Sequence, residues 1–186
     1  MKKVRYFSTF LATWFKTGLL KPIPPFNGMA GTYGSFFAIP FCYLVLILTR
    51  SLIFKAVPTN IGKLSVYFFF LSVIFLFGLL TIAIAEEELG PQTDWKGKTK
   101  TRDQNQIVID EVLGMLVSCI PFLFVSKMEI IHFVIVFILF RFFDIIKIWP
   151  TNLFDNIKNP IGVMLDDVMA GIYAAACLTI LILYVL

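Results

Sequence analysis

Leu64-Ser-Val-Tyr-Phe-Phe-Phe-Leu-Ser-Val-Ile-Phe-Leu-Phe-Gly-Leu-Leu-Thr-Ile-Ala-Ile-Ala85 runs for 22 residues without a charge and stops on Glu86-Glu87-Glu88. A helix rises about 1.5 Å per residue and a bilayer's hydrocarbon is about 30 Å thick, so roughly 20 apolar residues suffice to cross it. This stretch is therefore a membrane span. Four other apolar stretches approach the same length: Phe36 to Ile53, Ile107 to Val125, Ile130 to Ile148 and Val168 to Leu186. The third and fourth in chain order, which begin at Ile107 and Ile130, carry charges within them. Composition agrees, since 59% of the 186 residues are apolar and 15% charged, against about 45–50% and about 25% in soluble domains. The expected fold is all-α: one multi-pass membrane bundle of about five spanning or partly spanning helices.

The first 35 residues differ in character. Phe7, Phe10, Leu11 and Trp14 fall on one face of a helix flanked by Lys2, Lys3, Arg5 and Lys16, which predicts an amphipathic helix lying in the membrane interface. An amphipathic helix packed on the protein itself is the alternative. The region is too broken and aromatic for a signal-peptide core. Lys21 to Ser35 holds three prolines and three glycines and reads as a shaped loop, ending in a Gly31-Thr32-Tyr33-Gly34-Ser35 turn. The helix bundle is then expected over 36–186.

Following the spans from the N-terminal face puts twelve of the sixteen Lys and Arg residues on that face, which the positive-inside rule makes cytoplasmic. The same division puts eleven of the twelve carboxylates there, leaving only Glu129 opposite. That rule says nothing about acids, so their gathering needs its own cause.

Three acidic groups lie where spans meet this face. Asp110-Glu111 opens the third span, and Asp166-Asp167 is expected to open the fifth. Arg141 and Asp144 sit one turn apart near the end of the fourth, with Lys147 a turn further on. A single acidic pair in a first helical turn is ordinary capping. Two such pairs and an Arg-x-x-Asp on one face point to a shared site instead. Ionisable groups bordering spans face the bundle interior and find partners, and crowded carboxylates stay ionised only beside strong positive charge. Asp110, Glu111, Asp166 and Asp167, with Glu86 as a further candidate, form an oxygen-only donor set suited to Mg²⁺, with Mn²⁺ or Ca²⁺ as alternatives. Gly31, Thr32, Gly34 and Ser35, at the same face, offer backbone and hydroxyl donors for a phosphate beside Arg141. The single histidine, His132, falls on the opposite face. Cys42, Cys119 and Cys177 lie within apolar runs as small fillers. Nothing in the pattern suggests a nucleic-acid partner.

Four motifs in this order resemble the phosphatidylglycerophosphatase A family: Ala30-Gly-Thr-Tyr-Gly-Ser35; Asp103 with Ile107-Val-Ile-Asp-Glu-Val-Leu-Gly114; Phe140-Arg-Phe-Phe-Asp-Ile-Ile-Lys147; and Gly162-Val-Met-Leu-Asp-Asp-Val-Met-Ala-Gly171. Departures are confined to loops and span ends: an insertion over Pro22 to Gly28, Ala30 and Ile148 where proline is usual, Asn159-Pro160 for a glycine pair, and a long Pro91 to Arg102 segment. The resemblance implies Mg²⁺-dependent removal of the terminal phosphate of phosphatidylglycerophosphate at the cytoplasmic face of a bacterial inner membrane. Asp110, Glu111, Asp166 and Asp167 would hold one or two ions, Asp144 would serve as ligand or base, and Arg141 and Lys147 would bind phosphate oxygens. Which carboxylate is base, nucleophile or ligand stays open, as does the oligomeric state. A lipid phosphotransferase would need an Asp-x-x-Asp-Gly pattern that is absent. A cation transporter would need acids nearer mid-bilayer.

Overall fold

The computed structural model describes residues 2–20, 30–56, 59–93, 99–100, 104–125, 127–155, 157 and 159–184. Seven α-helices lie among them: α1 (Lys2–Ala12), α2 (Ala30–Ala56), α3 (Asn60–Leu89), α4 (Ile109–Ser118), α5 (Ile130–Ile146), α6 (Thr151–Asp155) and α7 (Pro160–Tyr184). A minimal antiparallel pair, Gln92–Thr93 with Thr99–Lys100, follows α3. The expected all-helical architecture with an N-terminal helix is what the chain adopts.

Among the described residues, α2, α3 and α7 are long and apolar enough to cross a membrane. Of the two charge-bearing stretches, the one that begins at Ile107 behaves differently from expectation. Its helix, α4, has ten residues, gives way to a 3₁₀ turn over Ile120–Leu123 with Pro121 inside it, and is buried at every position except Glu111. At about 1.5 Å per residue it is only about 15 Å long. Its apolarity reflects burial in protein, not contact with lipid. The stretch from Ile130 forms α5, of 17 residues, about 26 Å long by the same rise.

Specific bonds fix α4 at both ends. The Val108 N–H donates to Ala12 O at 2.9 Å, and the Gln104 amide donates to Gly90 O at 2.8 Å and Glu86 O at 3.3 Å. At the far end the Arg50 guanidinium of α2 donates to Phe122 O and Val125 O, satisfying carbonyls that the helix end leaves without intrahelical partners. Midway, Tyr67 Oη of α3 donates to Leu116 O at 2.8 Å. An Arg in the last third of α2 and a Tyr in the first third of α3 thus hold α4 at one depth.

Glycines let α7 close on it. A Cβ at Gly171 would lie 2.6 Å from Gly114 O, and one at Gly114 would lie 2.8 Å from Asp167 O. Backbones this close leave no room for side chains between them, as in the small-residue seams of membrane helices.

α1 lies along the C-terminal end of α3, with Ser8 and Ala12 buried and Arg5 within 3.6 Å of Glu87 and 4.0 Å of Glu88. Val4, Tyr6 and Phe7 remain exposed. The helix therefore packs on the protein by one edge and leaves apolar side chains outward. Trp14, expected on the same face as Phe7, is instead buried, and its indole N–H reaches Phe37 O at 3.4 Å. The cause is a left-handed turn through Trp14, Phe15 and Lys16 (φ 45°, 57° and 70°), which ends the helical phase and swings Trp14 onto α2. His132 is buried. Its Nδ1 accepts from the Glu129 N–H at 3.0 Å in a capping box that opens α5.

Candidate active site

The acidic residues meet where the N-terminal ends of α2, α4 and α7 converge with the C-terminal end of α5. One carboxylate oxygen each from Asp110, Glu111 and Asp167 lies within 4.8 Å of the others. Asp110 and Glu111 stand in the first turn of α4. Asp167 does not open its helix. α7 begins at Pro160, eight residues before the start expected from hydropathy, so Asp166 and Asp167 lie in its second turn and are buried. Capping acts on the first turn only, and it gives no reason for two buried carboxylates here.

Asp166 plays a different part from Asp167. Its Oδ1 accepts the Asp167 N–H at 3.0 Å and its Oδ2 is 2.8 Å from the Lys147 ammonium. Its carboxylate is outside the three-residue group, as is Glu86, which sits near the end of α3. Arg141 and Asp144 pair along one face of α5 at 2.6 Å. Arg141 Nη1 also lies 3.5 Å from Ser35 Oγ. Lys147 does not continue that face, because it ends α5 in a left-handed conformation and reaches across to α7.

The Gly31 to Ser35 segment is not a turn. It is the start of α2, with Ser35 Oγ donating back to Gly31 O at 2.8 Å in the i−4 pattern of a helical serine. Its glycines serve close approach. A Cβ on Gly31 would overlap Glu111 Oε1 and stand 3.1 Å from Arg141 Nη1, and one on Gly34 would stand 2.6 Å from the Val108 Cβ. Gly31 thus touches the site directly, Ser35 touches it through Arg141, and Gly34 seats the residue that leads into α4. Thr32 is half-buried in the same helical turn. Lys21 to Met29 and Asp103 lie outside the described residues.

Five carboxylates and two cations line the site, and burial, with other carboxylates nearby, pushes the Glu111 carboxyl up to about 8, the response of an acid that lacks enough positive charge around it. Glu111 Oε2 is buried without a hydrogen-bond partner, as is Arg141 Nε. An uncompensated carboxylate oxygen beside two others, all hard oxygen donors, fits a divalent cation such as Mg²⁺. Asp110, Glu111 and Asp167 are the residues that would hold it.

Sequence reasoning named the acids and both cations. It missed the work of Gly114 and Gly171, whose contact brings Asp167 up to α4, and that of Arg50, which holds the far end of α4. Both glycines stood in the quoted motifs, and small residues on facing helices were the available signal. Nothing in the sequence pointed to Arg50.

Carboxylates and cations gathered at one end of an apolar helix bundle, with three of its described helices long and apolar enough to cross a membrane, define a class of membrane protein with a buried acidic site. Residues 10–182 match the family model described as "PgpA: Phosphatidylglycerophosphatase A". The chain belongs to that family and is a phosphoric monoester hydrolase. It is similar to phosphatidylglycerophosphatase A of Haemophilus influenzae, with 28% identity over 165 residues, covering 88% of this chain and 82% of the relative. It is also similar to phosphatidylglycerophosphatase A of Escherichia coli K12, with 29% identity over 169 residues, covering 90% and 79%. No solved structure matches the chain.

Proposed function

We propose that this chain removes the terminal phosphate of phosphatidylglycerophosphate in a Mg²⁺-dependent hydrolysis at the cytoplasmic face of a bacterial inner membrane, yielding phosphatidylglycerol and phosphate. The observation that carries the reading is the approach of the Asp110, Glu111 and Asp167 carboxylates to within 4.8 Å of one another, with Arg141 alongside. A divalent ion held there supplies the positive charge that polarises a phosphoryl group and lowers the pKa of a water. Mn²⁺ is the alternative ion.

Arg141 binds the non-bridging oxygens of the scissile phosphate, where its planar guanidinium can donate two parallel hydrogen bonds. Ser35, on the rigid start of α2, fixes one edge of that guanidinium. Asp144 occupies Arg141 in the absence of substrate. When Arg141 turns to phosphate, Asp144 is released beside it and is placed to accept the proton of an attacking water. Asp166 holds Lys147 and, by accepting the Asp167 N–H, fixes the backbone from which Asp167 projects. The burial of α4 keeps bulk water from the far side of the carboxylates.

Detergent-purified protein given phosphatidylglycerophosphate should release phosphate with Mg²⁺ and stop when EDTA is added. No release under any divalent ion would refute the proposal. The proposed orientation also puts the C-terminus of α7 outside the cytoplasm. A periplasm-dependent reporter fused after Leu186 should be active and a cytoplasm-dependent one silent. The opposite pattern would overturn the assignment of sides.

A further inference from the structure

We propose that Lys147 reads a second phosphate, the phosphodiester that joins the headgroup to the lipid, while Arg141 takes the phosphomonoester that is removed. The assignment rests on the phosphatase reading above and sharpens its substrate class to lipids carrying both groups.

The two cations occupy separate posts. Arg141 is largely covered, held by Asp144 and Ser35 and next to Glu111 across Gly31. Lys147 is turned toward α7, with its ammonium 2.8 Å from Asp166 Oδ2 and its side chain 31% exposed. Asp166 is not among the three clustered carboxylates, so Lys147 stands one carboxylate further from the centre of chemistry. Arg141 lies within the last turns of α5, and Lys147 follows the helix end in a left-handed conformation that turns it toward α7. A glycerol bridge puts six single bonds of about 1.5 Å between two phosphorus atoms, a reach of roughly 7–8 Å. Such a headgroup carries one phosphate for each of the two cations.

Backbone conformation points the same way. Lys147 closes α5 with φ 48° and ψ 59°. Glycine or asparagine suits a left-handed cap, and a lysine Cβ is disfavoured there. A lysine kept in that conformation puts its ammonium where a helical continuation would not. Its depth is also apt. Ile145, Ile146, Ile148 and Trp149 around it are exposed, which marks the border of hydrocarbon and headgroups where interfacial tryptophans sit. Lipid phosphodiesters lie at that border. An ammonium has three donors, so a diester oxygen can join the partners Lys147 already has, Asp166 among them.

The test compares kcat/KM on phosphatidylglycerophosphate with that on lysophosphatidic acid, a phosphomonoester lipid with no diester, in the same detergent micelles with Mg²⁺. Wild type should prefer the two-phosphate lipid at least tenfold. Lys147→Gln should lower that ratio at least tenfold through KM on phosphatidylglycerophosphate, and Lys147→Arg should largely keep it. Lys147→Gly relieves the left-handed cap but, like Lys147→Gln, leaves Asp166 without its ammonium, so the same loss of the ratio in both variants ties the effect to the lost charge and not to the cap. An equal fall on both substrates, leaving the ratio intact, overturns the assignment, as does a wild type with no preference. Release from neither substrate by wild type overturns the phosphatase reading, and this assignment with it.

Discussion

Asp167→Asn and Glu111→Gln should each reduce phosphate release by more than about a hundredfold while leaving the chain folded. Loss of residues that merely support metal ligands already costs about 10–100-fold, and these two contribute oxygens to the cluster itself. Both substitutions keep shape and remove charge. The same substitutions should have the opposite effect on stability without metal. Asp167 is buried within reach of two other carboxylates, and like charges in a buried site repel. Removing one should leave the thermal midpoint of metal-free protein unchanged or higher. Mg²⁺ should raise the wild-type midpoint, because an ion that binds only the folded state stabilises it by mass action, and should raise that of Asp167→Asn much less. Thermal melts with and without Mg²⁺, read beside phosphate release, separate the cases. A variant that is inactive, destabilised without metal and still shifted by Mg²⁺ would mean that Asp167 is structural and the ion sits elsewhere.

That the acids could be named from the sequence, while their arrangement could not, has physical causes. A carboxylate next to an apolar run is conspicuous because burying it is costly, so Asp110, Glu111, Asp166 and Asp167 stood out at once. Hydropathy cannot distinguish a helix facing lipid from one facing protein, and α4 read as a span for that reason. It also begins a helix where apolarity begins. The start of α7, Ile161 to Leu165, is apolar but short, and Asp166-Asp167 cut it off from the longer run that follows, so the acids fall at the expected boundary although they lie a turn inside the helix. The Gly31 to Ser35 segment misled in another way. Glycines before a span read as a turn, but a glycine serves equally where two chains must touch. Only the positions of Glu111, Arg141 and Val108 decide between the two, and those come from elements more than seventy residues away. Helical periodicity places Lys147 on the face of Arg141, and a single left-handed residue ends that periodicity.

Gly31→Ala should cost about a hundredfold in activity with little loss of stability. Alanine is the better helix former by up to about 1 kcal/mol, and position 31 is in the first turn of α2, so the backbone gains from the change. The loss falls on the site. The new methyl would occupy the space of Glu111 Oε1 and stand 3.1 Å from Arg141 Nη1, and one or both side chains must move by about an ångström. A misplacement of that size costs on the order of 10²-fold when reacting groups are held for attack. Gly78→Ala provides the control. Its Cβ would also be crowded, 2.5 Å from the Met164 thioether, but an unbranched, flexible methionine can yield, and activity should fall only a few-fold. The pair separates crowding in general from crowding at the carboxylates. A further check comes from shortening the acid that is struck. Glu111→Asp draws the carboxylate back from α2, so the double variant Gly31→Ala/Glu111→Asp should be more active than the product of the two single losses predicts. Strict additivity would mean that the methyl does not act through Glu111, and that Gly31 matters for some reason other than its contact with the carboxylate cluster.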